Sequence, residues 1–252
     1  MRAGLPQKAD TLRAMHRRGD PIVLANAWDP GSAKAVVEAG FKAVATTSAG
    51  VALSLGHADH QLTPVDEMFA AIDRISRAVD VPVTADIEAG YGLSPSEVAH
   101  RLLEAGAVGC NLEDTDHAAH AMRDADAQAK FLSEVKAAGK KLGVNLVINA
   151  RTDAFILNVG DEDAQIAESV RRGRLYYAAG ADCVYPIFAK SERALGEMAQ
   201  KLEGALNGLI IQGAPPLKKL RELGYARVSA GAGLYRGAMA ELKRRLDEIR
   251  NA

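Results

Sequence analysis

Three times along this 252-residue chain a helical pattern closes on a glycine just before a short apolar run: Glu38-Ala39-Gly40, Glu104-Ala105-Gly106 and Ala178-Ala179-Gly180. Glycine ends helices because it takes the left-handed cap conformation without a Cβ clash. A helix that stops this way and hands over to a brief, fully apolar strand is the repeating unit of a parallel α/β sheet. Followed through the chain, the unit predicts strands near 22–27, 43–47, 82–86, 109–113, 146–151, 183–187, 209–213 and 227–230. Helices are expected at 32–39, 65–79, 95–105, 124–142, 162–179, 191–202, 216–223 and 234–249, with a further one at 8–17. Ser94-Pro95-Ser96-Glu97 supplies a cap, a first-turn proline and a first-turn acid, and Thr63-Pro64-Val65-Asp66 reads the same way. Eight βα units in about 230 residues predict an α/β protein, a (β/α)8 TIM barrel with an extra N-terminal helix. Residues 1–252 are expected to form one such catalytic domain, with a doubly wound open sheet as the competing arrangement.

Composition narrows the partners. Thirty-one Lys and Arg against 32 Asp and Glu leave a net charge of −1, which gives no electrostatic footing for nucleic acid or an anionic membrane. No apolar stretch is long enough to span a bilayer, and the first 20 residues carry no signal-type apolar core. Cys110 and Cys183, both in apolar runs, are expected to be buried thiols rather than a disulfide framework. A cytoplasmic location is the simplest expectation.

Barrel enzymes place their chemistry at the carboxyl ends of the strands, and polar residues collect there. Thr46, Thr47, Ser48, Ala49 and Gly50 close the second strand, Asp86 and then Glu88 the third, and Asn111, Glu113 and Asp114 the fourth. Asn149, Arg151 and Asp153 close the fifth, and Ser229 and Gly231 the eighth. Alternation along a strand puts Asn111 and Glu113 on one face, and likewise Asn149 and Arg151. Carboxylates converging from Asp86, Glu88 and Glu113 repel one another, and a divalent cation relieves that repulsion. All-oxygen ligation favours Mg²⁺, with Mn²⁺ as the substitute. Arg151 is suited either to bidentate capture of a substrate carboxylate or to pairing with Asp153 and the mouth acids. Two long loops, 48–63 and 114–123, carry His57, His60, His117 and His120, as sequential zinc pairs or as single acid–base groups. The glycine-rich segment from Ser229 to Gly237 reads as a tight turn into the last helix, or as a phosphate cradle.

Taken together, these segments resemble the isocitrate lyase/phosphoenolpyruvate mutase superfamily from about Leu12 to Met239. The matching runs are Asn26-Ala-Trp-Asp-Pro-Gly-Ser-Ala, Thr47-Ser-Ala-Gly, Gly56-His-Ala-Asp59, Thr84-Ala-Asp86-Ile-Glu88-Ala-Gly-Tyr-Gly92, Asn111-Leu-Glu113-Asp114 and Asn149-Ala-Arg151-Thr-Asp153. The resemblance implies a Mg²⁺ enzyme acting on small 2-oxo or 2-hydroxy carboxylates, usually as a dimer or tetramer. It implies Asp86 as direct metal ligand, with Asp59, Glu88 and Glu113 holding metal-bound waters. It implies that Ser48, Ala49 and Gly50 offer hydroxyl and N–H groups to substrate and that Arg151 clamps a carboxylate. Asp59, Glu113 and Arg151 form the implied catalytic set. Two family loops are missing: neither the Lys-Lys-Cys-Gly-His of the isocitrate and methylisocitrate lyases nor the Lys-x-Asn of the mutases occurs in 114–124.

The expected activity is Mg²⁺-dependent carbon–carbon cleavage of a di- or tricarboxylate through an enolate-like species, as a decarboxylase or by retro-aldol cleavage. Decarboxylation suits a loop without Cys, because CO₂ leaves without an acid. Retro-aldol cleavage needs a base, for which His117, His120 and Tyr91 are candidates. Phosphorus–carbon chemistry is the alternative, although the only lid cation in the sequence is Arg123. A ligand-sensing barrel without turnover is the third reading.

Overall fold

The computed structural model describes residues 3–252. Helix α1 (Leu5–Ala14) precedes β1 (Ile22–Leu24), β2 (Asn26–Ala27), α2 (Pro30–Glu38), β3 (Val44–Thr46), α3 (Ser48–Leu55), α4 (Val65–Arg77) and β4 (Val83–Asp86). Next come α5 (Pro95–Glu104), β5 (Gly109–Glu113), β6 (Thr115–Asp116), β7 (Ala121–Met122), α6 (Ala125–Lys141) and β8 (Val147–Thr152). The chain ends with α7 (Glu162–Ala178), β9 (Cys183–Pro186), α8 (Glu192–Lys201), β10 (Asn207–Leu209), α9 (Leu217–Glu222), β11 (Arg227–Ser229) and α10 (Gly233–Arg250).

The barrel closes through two seams. β2, β3, β4, β5, β8 and β9 pair in parallel in that order, and β1, β11 and β10 form a second parallel set. A parallel bridge between Val184 and Leu206 joins β9 to β10. At the other seam β1 and β2 are two halves of one stave, separated only by Ala25: the first half pairs with β11, the second with β3. Eight staves result, and the expected barrel is the fold observed. The three predicted glycine caps are left-handed, with φ of 90° at Gly40, 81° at Gly106 and 95° at Gly180. Ser94 caps α5 in a reciprocal box with Glu97.

Helix α1 covers the amino-terminal end of the barrel. Leu12 is fully buried against the core. A Cβ at Gly109 would stand 2.7 Å from the Val147 carbonyl and 3.1 Å from Leu12, so only glycine lets helix and strand meet there. Asp182 ties the pieces together: it accepts from Arg13 Nε (2.7 Å), Lys136 Nζ (2.5 Å) and the Ile148 N–H (2.8 Å). Cys110 and Cys183 are buried free thiols, as expected.

Four expectations need correction. The seventh strand is Asn207–Leu209, not 209–213: Ile210 is 46% exposed, and the apolar run continues past the strand onto the barrel mouth. Helix α1 starts at Leu5, three residues before the expected 8, with Pro6 in its first turn. Thr63 is not a cap: α4 is capped by Pro64, and the buried Thr63 hydroxyl has no hydrogen bond among the described residues. The two long loops are partly ordered as α3 and as the antiparallel hairpin β6–β7. Among the described residues no helix is long and apolar enough to cross a membrane.

His16 sits where α1 meets the barrel, its Nδ1 2.8 Å from the Leu12 carbonyl, and its Nε2 buried without a partner among the described residues. Burial, reinforced by Arg227, pulls its pKa from 6.5 down to about 4. The unfolded chain therefore takes up a proton below pH 6.5 that the folded chain refuses until about pH 4. Stability should fall by roughly 2 kcal/mol more between pH 7 and pH 5 in the wild type than in His16→Gln. Urea unfolding of both proteins at the two pH values checks this, and equal slopes would contradict it.

Candidate active site

Parallel register stacks the predicted residues in two rungs. Asp86 on β4 lies beside Asn111 on β5, and Asn111 beside Asn149 on β8. Two residues further along, Glu113 lies beside Arg151, and Arg151 beside Tyr185 on β9. At this carboxyl end a cavity of about 160 Å³ is lined by Ser48, Ala49, Asp59, Asp86, Glu88, Glu113 and Arg151. A larger hollow of about 710 Å³ lies outside the barrel between α5 and α6 and contains none of these residues.

Each acid is held differently. Asp86 Oδ2 accepts from the Ser48 N–H (3.1 Å) and hydroxyl (3.0 Å), and the Asp86 N–H donates to Thr46 Oγ1 (2.8 Å). Glu88 accepts from the Tyr91 hydroxyl at Oε1 (2.5 Å) and from the Gln61 N–H at Oε2 (2.7 Å). Glu113 is flanked by His117 Nε2, 2.6 Å from Oε1, and by Arg151 NH1, 2.6 Å from Oε2. Asp86 Oδ1 and Asp59 Oδ1 are buried with no hydrogen-bond partner among the described residues. Burial pushes Glu88 up to about 8, with Asp59, Glu113 and Asp86 adding to the effect and Tyr91 opposing it. Burial also raises Glu113, against the pull of Arg151 and His117. The hydrogen bond to Glu113 raises His117, opposed by partial burial.

Four carboxylates around one cavity, two of them with orphaned oxygens, make a set that a hard divalent cation fits: it supplies the missing charge and takes oxygen donors. Asp86 offers a free oxygen directly, while Asp59, Glu88 and Glu113 surround it.

The other predicted residues divide. Ser48 and Ala49 line the cavity from the first turn of α3, with Ser48 turned onto Asp86. Gly50 does not line it, and its N–H is directed at Thr47 Oγ1 (3.4 Å) within the helix cap. Arg151 donates from Nε and NH2 to the two Asp153 oxygens (2.6 and 2.8 Å) and reaches Glu113 with NH1. One N–H on each terminal nitrogen is left for a ligand. Asp114 faces away from the mouth, buried against the Tyr176 hydroxyl (2.6 Å) and Arg172 (3.2 Å), and is an anchor between β5 and α7. The turn after β11 spends its Ala230 and Gly231 N–H groups on Asn26 Oδ1 (3.0 and 2.8 Å), which leaves a tight turn rather than a phosphate cradle.

Sequence reasoning missed three features. Gln61 orients Glu88, but nothing in its loop position announces it. Arg236, from the first turns of α10, lines the cavity and adds a cation that loop-based reasoning did not count. The far wall is apolar, built from Tyr185, Ile187, Phe188 and Leu209 with Ile156 and Ile211. Phe188 stands at φ 63°, a conformation that bulky residues rarely adopt; apolar residues beyond a strand end were the available signal.

Comparison with known proteins bears on the family and the fold. A family model described as phosphoenolpyruvate phosphomutase matches residues 12–250. An uncharacterized protein of Mycobacterium tuberculosis (strain ATCC 25618 / H37Rv) is 34% identical over 90% of this chain and 85% of its own. Oxaloacetate decarboxylase 1 of Pseudomonas fluorescens is 30% identical over 90% of this chain and 78% of its own. A crystal structure from Burkholderia cenocepacia J2315, provisionally assigned as a phosphonomutase, superposes with a TM-score of 0.90 at 36% identity, covering 96% of this chain and 99% of that one.

The Asp114 anchor gives a test separable from the cavity. Tyr176→Phe removes the hydroxyl donated to a fully buried carboxylate and should lower stability by about 1–3 kcal/mol in thermal or urea unfolding. Binding of a divalent ion at the mouth should be unchanged.

Proposed function

The chain belongs to the phosphoenolpyruvate mutase/isocitrate lyase superfamily, and from that premise we propose that it is a divalent-metal-dependent carbon–carbon lyase for small 2-oxo or 2-hydroxy di- and tricarboxylates, with decarboxylation of an oxaloacetate-type acid as the favoured reaction. The superfamily contains carbon–carbon lyases and phosphoenolpyruvate mutases, and its members are typically Mg²⁺-dependent. The observation that carries the reading is the acid cluster with orphaned oxygens on Asp86 and Asp59, facing a cavity whose rim offers no thiol among the described residues.

Asp86, with Asp59, Glu88 and Glu113 around it, would hold Mg²⁺ or Mn²⁺. Bound there, the ion supplies electrostatic stabilisation for negative charge on the substrate 2-oxygen. Arg151, fixed by Asp153, presents its remaining N–H groups to a carboxylate and orients the acid. When CO₂ leaves, the bonding electron pair passes to C3 and, through the carbonyl, to the 2-oxygen. A proton must then reach C3, and His117, beside Glu113 at the rim, is placed to hold one. The apolar wall keeps water from competing on the far side.

Phosphorus–carbon chemistry is the second reading. Arg236 favours it, because a phosphonate calls for a cation beyond Arg151, and the provisional label on the Burkholderia cenocepacia structure agrees.

Oxaloacetate, substituted malates, methylisocitrate and phosphonopyruvate offered with Mg²⁺ or Mn²⁺ should give metal-dependent release of pyruvate or glyoxylate. In Asp86→Ala turnover should fall at least about 10³-fold. Phosphate release would move the assignment to the second reading, and a bound metal with no turnover on the whole panel would overturn both.

We also infer a homo-oligomer. Helix α10 buries no residue, and Leu242, Leu246 and Ile249 stand 47, 54 and 73% exposed at helical spacing. Light scattering should give a mass above that of one chain, and Leu246→Glu with Ile249→Glu should lower it. A monomeric wild type would refute this.

A further inference from the structure

We propose that the barrel mouth carries a second cation site, of transition-metal type, in which His60 and His117 clamp an ion across the two mouth loops above Glu88. Each of the three offers a donor atom, and these atoms lie within 4.8 Å of one another. They come from separate segments: His60 from the turn after α3, Glu88 from beyond β4, and His117 from the β6–β7 hairpin. The imidazole centroids are 5.4 Å apart with planes inclined at 47°, and His117 Nε2 lies 3.8 Å from Glu88 Oε2 and 2.6 Å from Glu113 Oε1, a contact that an ion would replace.

The backbone is bent to make this juxtaposition. His60 and Gln61 are consecutive left-handed residues, at φ 71° and 59°, and Glu88 and Tyr91 are left-handed too, at 50° and 55°. Four such non-glycine residues around one point store strain that neighbouring contacts must hold. Those contacts converge on Glu88. Gln61 donates its N–H to Glu88 Oε2 (2.7 Å) and accepts the Tyr91 N–H at its side-chain oxygen (2.5 Å), while the Tyr91 hydroxyl fixes Glu88 Oε1. Outer hydrogen bonds that aim a ligand in this way are a mark of metal sites.

Ligand chemistry separates this site from the oxygen cluster below it. Two imidazoles and one carboxylate select Zn²⁺, Co²⁺ or Ni²⁺, whereas Mg²⁺ prefers oxygen donors. An ion here would join the loop after the second stave to the loop after the fourth and narrow the entrance. It would also draw on Glu88, which faces both ions. The pairing runs across the loops, not within them: His57 is engaged with Glu67 (3.2 Å) instead. The site does not depend on which bond the enzyme breaks, but an ion here takes His117 away from holding the proton for C3, so occupancy and that step exclude each other.

The test is metal stoichiometry and affinity on untagged protein with Mg²⁺ in excess. Zn²⁺ is measured by calorimetry and elemental analysis, and Co²⁺ by its visible absorption. Wild type, Asp86→Ala and His57→Ala should each bind one Zn²⁺ or Co²⁺ per chain. His60→Ala and His117→Ala should bind at least 10-fold more weakly and lose the cobalt bands. Circular dichroism establishes that each variant is folded. Binding lost in Asp86→Ala but unchanged in His60→Ala would put the ion in the oxygen cluster and overturn the proposal, as would a wild type that retains no Zn²⁺. Neither outcome bears on the lyase assignment, which is read from products.

Discussion

Unbalanced negative charge at one end of the barrel is the constraint to which the mouth is built. Glu88 and Glu113 are almost fully buried, and Asp59 and Asp86 stand beside them. Carboxylates out of water must be paired, hydrogen-bonded or protonated. The fold supplies only part of that relief: Arg151 and His117 for Glu113, Tyr91 and Gln61 for Glu88, Ser48 for Asp86. What remains unmet is the negative charge on which the proposed cation site rests. A protein whose mouth were fully neutralised would be more comfortable empty and would have less use for an ion.

The barrel makes this arrangement affordable by fixing the acids from below. Asn149 donates to Asn111 Oδ1 (2.8 Å), and the fully buried Arg227 reaches the same oxygen (3.1 Å). That polar layer lies one rung beneath Glu113 and Arg151 and keeps the two strands in register. Outward of the strands, Asp114 and Asp153 form a second buried set with Tyr176, Arg172 and Thr115. The same Asp153 holds Arg151 flat at the cavity wall. The position of Arg151 is thus tied to packing between β5, β8 and α7 rather than to the mobility of one side chain.

Much of this was legible in the sequence, and the reasons differ by residue. Strand period and glycine caps gave the barrel, because both report backbone geometry that any sequence must obey. Asn111 and Glu113 could be placed on one face, and likewise Asn149 and Arg151, because parity along a strand needs no knowledge of loops; that Glu113 stands beside Arg151 is a matter of register between strands, which parity does not give. Asp59 was legible only through family resemblance, since a loop acid has no period to read. The shift of the seventh strand came from taking Leu209, Ile210 and Ile211 as core, whereas Leu209 and Ile211 form the mouth wall and Ile210 is exposed. The hairpin β6–β7 is too short for a periodic signal, so the convergence of His117 with His60 could not be foreseen. Arg236 was hidden because the glycine-rich segment that contains it was read as a turn into the last helix or a phosphate cradle, and neither reading assigns a role to that side chain.

The divided first stave has a consequence for how the chain reaches this structure. β1 takes its partner from β11, 205 positions away at Ile22 and Arg227, while β2 takes its partner from the adjacent β3. Ring closure therefore waits for nearly the whole chain, and until then both seams present unsatisfied strand edges. The residue that then locks the ring is Asn26, which holds the Ala230–Gly231 turn from the opposite side of the seam. During synthesis the acid-lined mouth can assemble from consecutive staves β2 to β8 first, leaving an open half-barrel whose last task is to find its own beginning.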